Sequence, residues 1–435
     1  MNIREIALSL LEGYEAGGKY VNLALSQHIT DRLDPAEISS LTALLYTTVE
    51  QKLRYDYYIG ALSGRSNSDI NPTTRNILRL GLCQILDMHS VPDFAAVNET
   101  VKLCGSRGER SFVNGVLRAA VRTKDNMPTP PREKNYNRYL SVKHSFPLWI
   151  VKMLSEVVGE GEIDSLLEFY NTYKYTDVTV NKIKATTETV RDELLSFGLD
   201  SMAHIDTSMT LRISRSFNPE RIDGFGEGKF FIQDTASAIA VRALDVTRGD
   251  VIVDVCSAPG GKSFAAAILA DDECEIHSFD IHESKLSLIE EGAKRLGLKS
   301  IHAQCKDALV GESSLFGKAD RVICDAPCSG LGVLSKKPDL RYKSEESARD
   351  LPALQLEILK SSARYLKLGG VLVYSTCTLN PKENGEVVDA FLSENREFFS
   401  VDFEVGGISS DNGRLTLIPH IHKTDGFFIA KLKRK

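Results

Sequence analysis

Residues 251–263 read VIVDVCSAPGGKS, an apolar run that passes through a glycine-bearing loop into a helical pattern starting at Ser263. A buried strand that opens in this way is the first unit of an α/β fold. Gly261, Lys262 and Ser263 match the close of the phosphate-binding pattern G-x-x-x-x-G-K-[ST], whose first glycine belongs at position 256. Cys256 stands there instead, and Pro259 removes one backbone N–H from a loop whose purpose would be to direct N–H groups at phosphate. The loop is therefore either a degraded triphosphatase loop or a loop for a different ligand.

Outward from it, apolar strands and helices alternate from about Phe230 onward: VIVDV, EIHSFD, IHAQC, DRVICD, GVLVYS and FFIAKLK, with helices between them. That alternation predicts a doubly wound, mostly parallel sheet, whose ligands bind outside the carboxyl ends of the strands. The candidate residues all fall at such ends. SAPGGK follows the first strand, and Asp280 ends the second, 20 residues beyond Gly260, the distance at which an acidic side chain reaches a ribose hydroxyl. Asp307 follows the third, Asp325 and Cys328 close the fourth in DAPCSG, and Cys377 closes the fifth in YSTCTL.

A lone Asp after a strand is more often a helix cap, and a lone Cys a small hydrophobe, which is the reading for Cys83, Cys104, Cys274 and Cys305. The coincidence of two Cys, several Asp and a glycine loop on one sheet edge argues for a site. Cys324, Cys328 and Cys377 do not form a paired zinc motif, so no metal is expected. DRVICD imitates the strand that holds Mg²⁺ in P-loop enzymes, but a phosphate-transfer site has no use for two thiols, whereas nucleophilic catalysis with a second acid/base group does.

The 435 residues are 42% apolar and 26% charged, and no apolar run approaches the ~18 residues of a membrane span. No membrane partner is expected, and eight cysteines without small-domain spacing fit a reducing, cytoplasmic setting. The net charge of −6 is unevenly spread: residues 1–145 carry 18 basic against 15 acidic residues, and Lys102–Lys143 carries ten against three. Residues 1–130 read as an all-helical domain with apolar positions at spacings of three and four. In its last helix, RSFVNGVLRAAVR, Phe112, Val113, Val116, Leu117 and Val121 form the buried face, while Arg110, Asn114, Arg118 and Arg122 recur every fourth residue, a stripe suited to phosphates. Three prolines within Pro128–Pro131 mark a linker. Residues 140–228 read as a small α+β connector domain and 229–435 as the catalytic domain.

DVCSAPGGK, DAPCSG and YSTCTLNPKENGEVV resemble the cofactor, fourth-strand and nucleophile motifs of the RNA cytosine-C5 methyltransferases, and QDTASAIA resembles the segment before the cofactor loop. The N-terminal region, through SFVNGVLR, is similar to the RNA-binding fold of NusB. The combination resembles the bacterial RsmB (Sun/Fmu) type, whose substrate is 16S ribosomal RNA. The resemblance implies a Rossmann-like domain using S-adenosyl-L-methionine, with Cys256, Ser257, Ala258, Pro259, Gly260, Gly261 and Lys262 cradling its methionine end. It places Asp280 on the ribose hydroxyls, Asp307 on the adenine amine and Asp325 beside cofactor and base. It makes Cys377 the nucleophile at C6 of cytosine and Cys328 the thiol that assists elimination; the opposite order, used by the DNA enzymes, is the alternative. Asp325 binds or protonates N3, and Lys262 stabilises a thiolate or contacts the base. Lys336, Lys337, Arg341 and Lys343 are candidates for the RNA backbone flanking the target. The implied partner is unassembled or early-assembling 16S RNA, bound by a monomer, with the target base, of the cytosine-967 type, unpaired or flipped. A P-loop ATPase, or an RNA-binding module with an inactive enzyme domain, are the competing readings.

Overall fold

The computed structural model describes residues 2–17, 33–205 and 209–435. The chain forms two compact units, Met1–Asn171 with Lys337–Lys343, and Thr172–Lys336 with Ser344–Lys435. The stretch 140–228, expected as a connector, is thus divided between them.

The first unit is helical. Helices Ile3–Glu15, Pro35–Glu50, Lys52–Ser63, Pro72–Leu86, Asp93–Val101 and Arg107–Thr123 are followed by Tyr136–His144, Leu148–Val158 and Ile163–Thr172. Asp34 opens one of them with a complete capping box, and Asn71 caps Thr73 N–H at another, each followed by proline at the first helical position. Pro72–Leu86 is buried almost continuously from Asn76 to Ile85. Gly81 lets the helix Arg107–Thr123 approach it, because a Cβ there would lie 2.6 Å from the Leu117 side chain. Val113, Val116, Leu117 and Ala120 are buried in that helix, whereas Phe112 and Val121 are only partly covered, being nearer its polar edge than the spacing implies.

A short helical turn, Pro338–Tyr342, completes this unit. Arg341 is fully buried there, 3.0 Å from Glu50 and 4.0 Å above the Phe146 ring. This corrects its reading as an RNA-backbone contact: the guanidinium is a core ion-pair partner.

In the second unit, β1 (Thr176–Val180), β2 (Ser201–Ala203), β3 (Thr210–Ile213) and β4 (Phe230–Ile232) form an antiparallel sheet in the order β2-β3-β1-β4. The large sheet is built from β5 (Val251–Asp254), β6 (Glu275–Asp280), β7 (Ile301–Cys305), β8 (Ala319–Asp325), β9 (Leu366–Thr376), β10 (Phe398–Ser400), and, after the two-stranded ribbon β11 (Glu404–Val405) and β12 (Ile408–Ser409), β13 (Arg414–Leu417) and β14 (Phe427–Arg434). Its order is β7-β6-β5-β8-β9-β14, parallel from β7 to β9; β14 runs antiparallel, and its outer side is shared by β10 and β13. The strand order reverses between β5 and β8, the point where such sheets leave a crevice for ligand. Continuous burial from Gly370 to Thr376 follows from covering a parallel strand on both faces.

Candidate active site

The glycine loop lies between β5 and helix Gly261–Leu269, at that reversal. Ser257 N–H and Oγ both donate to Phe279 O, at 2.8 and 3.1 Å, pinning the loop to the end of β6. Gly260 turns the chain with φ +106°, and a Cβ there would fall 2.4 Å from the Phe264 ring. Thr179 Oγ1 donates to Gln233 Oε1, and Gln233 Nε2 donates to Gly261 O, each at 2.9 Å, so the QDT stretch braces the loop.

Beneath the loop, Asp254 is buried. Its Oδ2 accepts from Ser263 Oγ at 2.7 Å, while Oδ1 has no hydrogen-bond partner. Burial pushes this carboxyl up to about 7, against the opposing Ser263 donor and the Lys262 charge. Asp280 ends β6, buried, its Oδ1 accepting His282 N–H at 2.9 Å; Asp307 follows β7 and accepts Leu309 N–H at 2.9 Å. A glycine-bearing loop, an unpartnered buried carboxylate oxygen and acidic groups at two successive strand ends fit a ligand carrying both an amino acid and a nucleoside.

Across the crevice, β8 and β9 pair with Asp325 opposite Ser375, which brings the two following loops together. Cys328 Sγ and Cys377 Sγ lie 3.1 Å apart. Asp325 accepts from Lys262 Nζ at 2.6 Å and from Ser375 Oγ at 2.7 Å. Both Asp325 oxygens are thus engaged as acceptors, and the Lys262 ammonium lies beside them. Burial pulls that ammonium down, but Asp325, Asp254 and Cys377 outweigh it and hold it above its ordinary value. The Cys328 thiol is pushed well up by its hydrogen bond to Cys377, by burial and by the charges of Cys377, Glu383 and Asp325. Burial likewise raises Cys256, which disfavours its thiolate. Cys305, read as buried, is exposed on β7 at the sheet edge.

Two features escaped the sequence reading. Glu383 is fully buried between the two thiol loops. Gly332 N–H donates to Cys377 O at 2.9 Å and its carbonyl accepts Gly426 N–H at 2.9 Å; a Cβ would fall 1.8 Å from Gly426 O. Only the backbone pairing makes such roles visible. Lys336, expected to face RNA, is bound to Asp234 and Asp425 at 2.5 and 2.9 Å. On the helical unit Arg110, Arg118 and Arg122 are exposed. Arg118 Nε donates to Asn114 Oδ1 at 2.9 Å, and Arg118 and Arg122 border a cleft of about 580 Å³ with Phe94, Val97 and Asn98. Among the described residues no group of three or more His, Cys, Asp or Glu could hold a metal ion, and no helix is long and apolar enough to cross a membrane.

A glycine-bearing loop at the order reversal of a doubly wound sheet, with Lys262 paired to Asp325 beside two thiols, fits the class of S-adenosylmethionine-dependent methyltransferases. Residues 241–433 match the family model described as 16S rRNA methyltransferase RsmB/F, and residues 1–122 match that of the NusB family. A ribosomal RNA small subunit methyltransferase B of Bacillus subtilis is 34% identical, covering 100% of this chain and 99% of its own length. One of Klebsiella pneumoniae is 29% identical over 100% and 99%. The chain belongs to the ribosomal RNA small subunit methyltransferase B family. The crystal structure of PH0851 superposes with a TM-score of 0.80 at 26% identity, covering 99% of this chain and 98% of that one. NSun6 from Pyrococcus horikoshii, with a TM-score of 0.61 and 22% identity over 67% of this chain and 99% of that one, shares the fold.

Proposed function

We propose that this enzyme methylates C5 of one cytosine in 16S ribosomal RNA, the cytosine-967 type of site, through a covalent bond between Cys377 and C6. The observation that carries the reading is the 3.1 Å pair of thiols at the ends of β8 and β9, beside the cofactor crevice. C5 of cytosine is a poor nucleophile, and a thiolate adding at C6 makes it enamine-like. Cys377 Sγ forms the S–C6 bond while the C5=C6 π electrons move into the ring toward N3. Asp325 and the Lys262 ammonium are the groups that receive N3, Lys262 supplying the proton. The cofactor's sulfonium supplies an electrophilic methyl group. Cys328, as the thiolate, then takes the C5 proton, the C5–H electrons re-form C5=C6, the S–C6 electrons return to Cys377, and N3 gives its proton back to Lys262.

By the same reading, residues Cys256–Lys262 hold the methionine end of the cofactor, Asp280 the ribose and Asp307 the adenine. Arg110, Asn114, Arg118 and Arg122 meet RNA phosphates, and the target base is unpaired or flipped so that it reaches the thiols. The whole chain reads as an RNA-directed enzyme of the cytoplasm.

The test is transfer of labelled methyl from S-adenosylmethionine to unmodified 16S RNA with nucleoside analysis. The expected result is 5-methylcytidine, absent with Cys377→Ala, and an RNA adduct that accumulates with Cys328→Ala. Label in any other nucleoside, or an adduct that needs Cys328, overturns the assignment.

A further inference from the structure

We infer that Glu383 is a positioning residue that clamps Cys328 beside Cys377 and reserves the thiolate for Cys377. The inference rests on the proposed covalent reading and adds a determinant of which sulfur carries the charge.

Glu383 sits in the turn Pro381–Glu383 with no solvent exposure. Its Oε1 accepts from Ser329 Oγ at 2.6 Å and Asn380 Nδ2 at 2.9 Å; its Oε2 accepts from Ser329 N–H at 2.8 Å and Gln355 Nε2 at 3.0 Å. The same Gln355 amide donates to Pro327 O at 2.9 Å. Glu383 and Gln355 therefore grip the residues on either side of Cys328. Ser329 Oγ also lies 2.9 Å from Thr378 Oγ1, the neighbour of Cys377. One carboxylate thus joins the loop after β8, the loop after β9 and the helix Leu351–Ala363.

All four donors are neutral. They satisfy the lone pairs of Glu383 without cancelling its charge, and among the ion pairs of the described residues none includes it. Cys328 is faced by Cys377, Glu383, Asp325 and Tyr374. Lys262, by contrast, acts on Asp325, Asp254 and Cys377. The pair therefore lies in a field with the anion on the Cys328 side and the cation on the Cys377 side. Placing the thiolate on Cys377 lowers the energy at both ends; once Cys377 is bonded to C6 its charge no longer opposes ionisation of Cys328, which releases its proton to solvent and is then free to accept the one on C5.

The experiment maps first-hit alkylation of the full chain by limiting iodoacetamide under reducing conditions, from about pH 6 to about pH 10, with peptide mass spectrometry resolving Cys328 from Cys377. In the unaltered protein Cys377 is expected to react first at every pH. Glu383→Gln, which keeps the size and two of the four accepted hydrogen bonds, is expected to narrow the Cys377-to-Cys328 ratio about tenfold, the equivalent of one pH unit of relative acidity. Glu383→Asp keeps the charge and is expected to hold the ratio near the parent value even where its melting temperature falls. Cys328 reacting first in the parent, or equal ratios in parent and Glu383→Gln, overturns the inference. So does a Glu383→Asp ratio that collapses like that of Glu383→Gln. Methyl transfer by Cys377→Ala and Cys328→Ala, read separately, shows whether the covalent reading itself has failed.

Discussion

Replacing Lys262 by methionine keeps the length of the side chain and removes only the ammonium. Asp325 then loses its 2.6 Å partner and keeps Ser375, while Asp254 loses the charge that opposes the effect of its burial. Breaking a fully buried pair costs ~3–5 kcal/mol. The Asp325 side chain is 30% exposed, and solvent screening reduces the cost to ~2–3 kcal/mol. The unit that contains the pair has roughly 260 residues, so its unfolding entropy is ~0.5 kcal/mol/K, and the melting temperature is expected to fall by ~4–6 °C. The deficit carries a pH signature. A carboxyl raised on folding contributes stability at low pH that is lost as pH rises through its folded value. Without Lys262 that value moves above about 7, so the difference from the parent widens between about pH 6 and about pH 8.5. Scanning calorimetry of cofactor-free protein at both pH values checks this. A variant melting within about 1 °C of the parent at both would refute the electrostatic role. In a phosphate-binding loop the same change would remove an unpaired cation and leave the free protein no less stable.

Asp254→Asn removes a group that titrates at about 7 in the folded chain, against an ordinary value of 3.8. The parent should lose on the order of 4 kcal/mol relative to this variant as pH rises from about 4 to about 8, read as diverging denaturant midpoints; parallel curves refute it. Gly332→Ala drives a Cβ to 1.8 Å from Gly426 O and displaces the strand-to-strand strap that ends on Cys377 O. Methyl transfer should fall by about 100-fold or more while cofactor affinity changes less than about threefold, because the cofactor crevice lies on the other side of β8; equal losses in both would show that the strap supports the whole site.

The large sheet was legible because its central strands β5, β8 and β9 contain apolar runs and its candidate polar residues cluster at strand ends. Asp280, Asp325, Cys328 and Cys377 could be named from that pattern alone. The pairing of the thiols needed the register of β8 on β9, which spacing does not encode. Glu383 stands inside YSTCTLNPKENGEVV, but its role was not visible because its donors come from residues as distant as Ser329. Arg341 was misplaced by the prior that charge belongs on the surface. The expected boundary at 228 fell beside β4, whose short apolar run FFI reads as the beginning of the next sheet but pairs with β1.

The turn that brings Arg341 to Glu50 has a consequence for the modularity of the chain. The helical unit looks like a detachable N-terminal fusion, yet part of its core is encoded some 165 residues downstream, inside the catalytic half. A gene fragment ending at residue 171 lacks the guanidinium that neutralises Glu50 and covers Phe146. A single crossover between residues 171 and 337 therefore separates the helical unit from a segment of its own core.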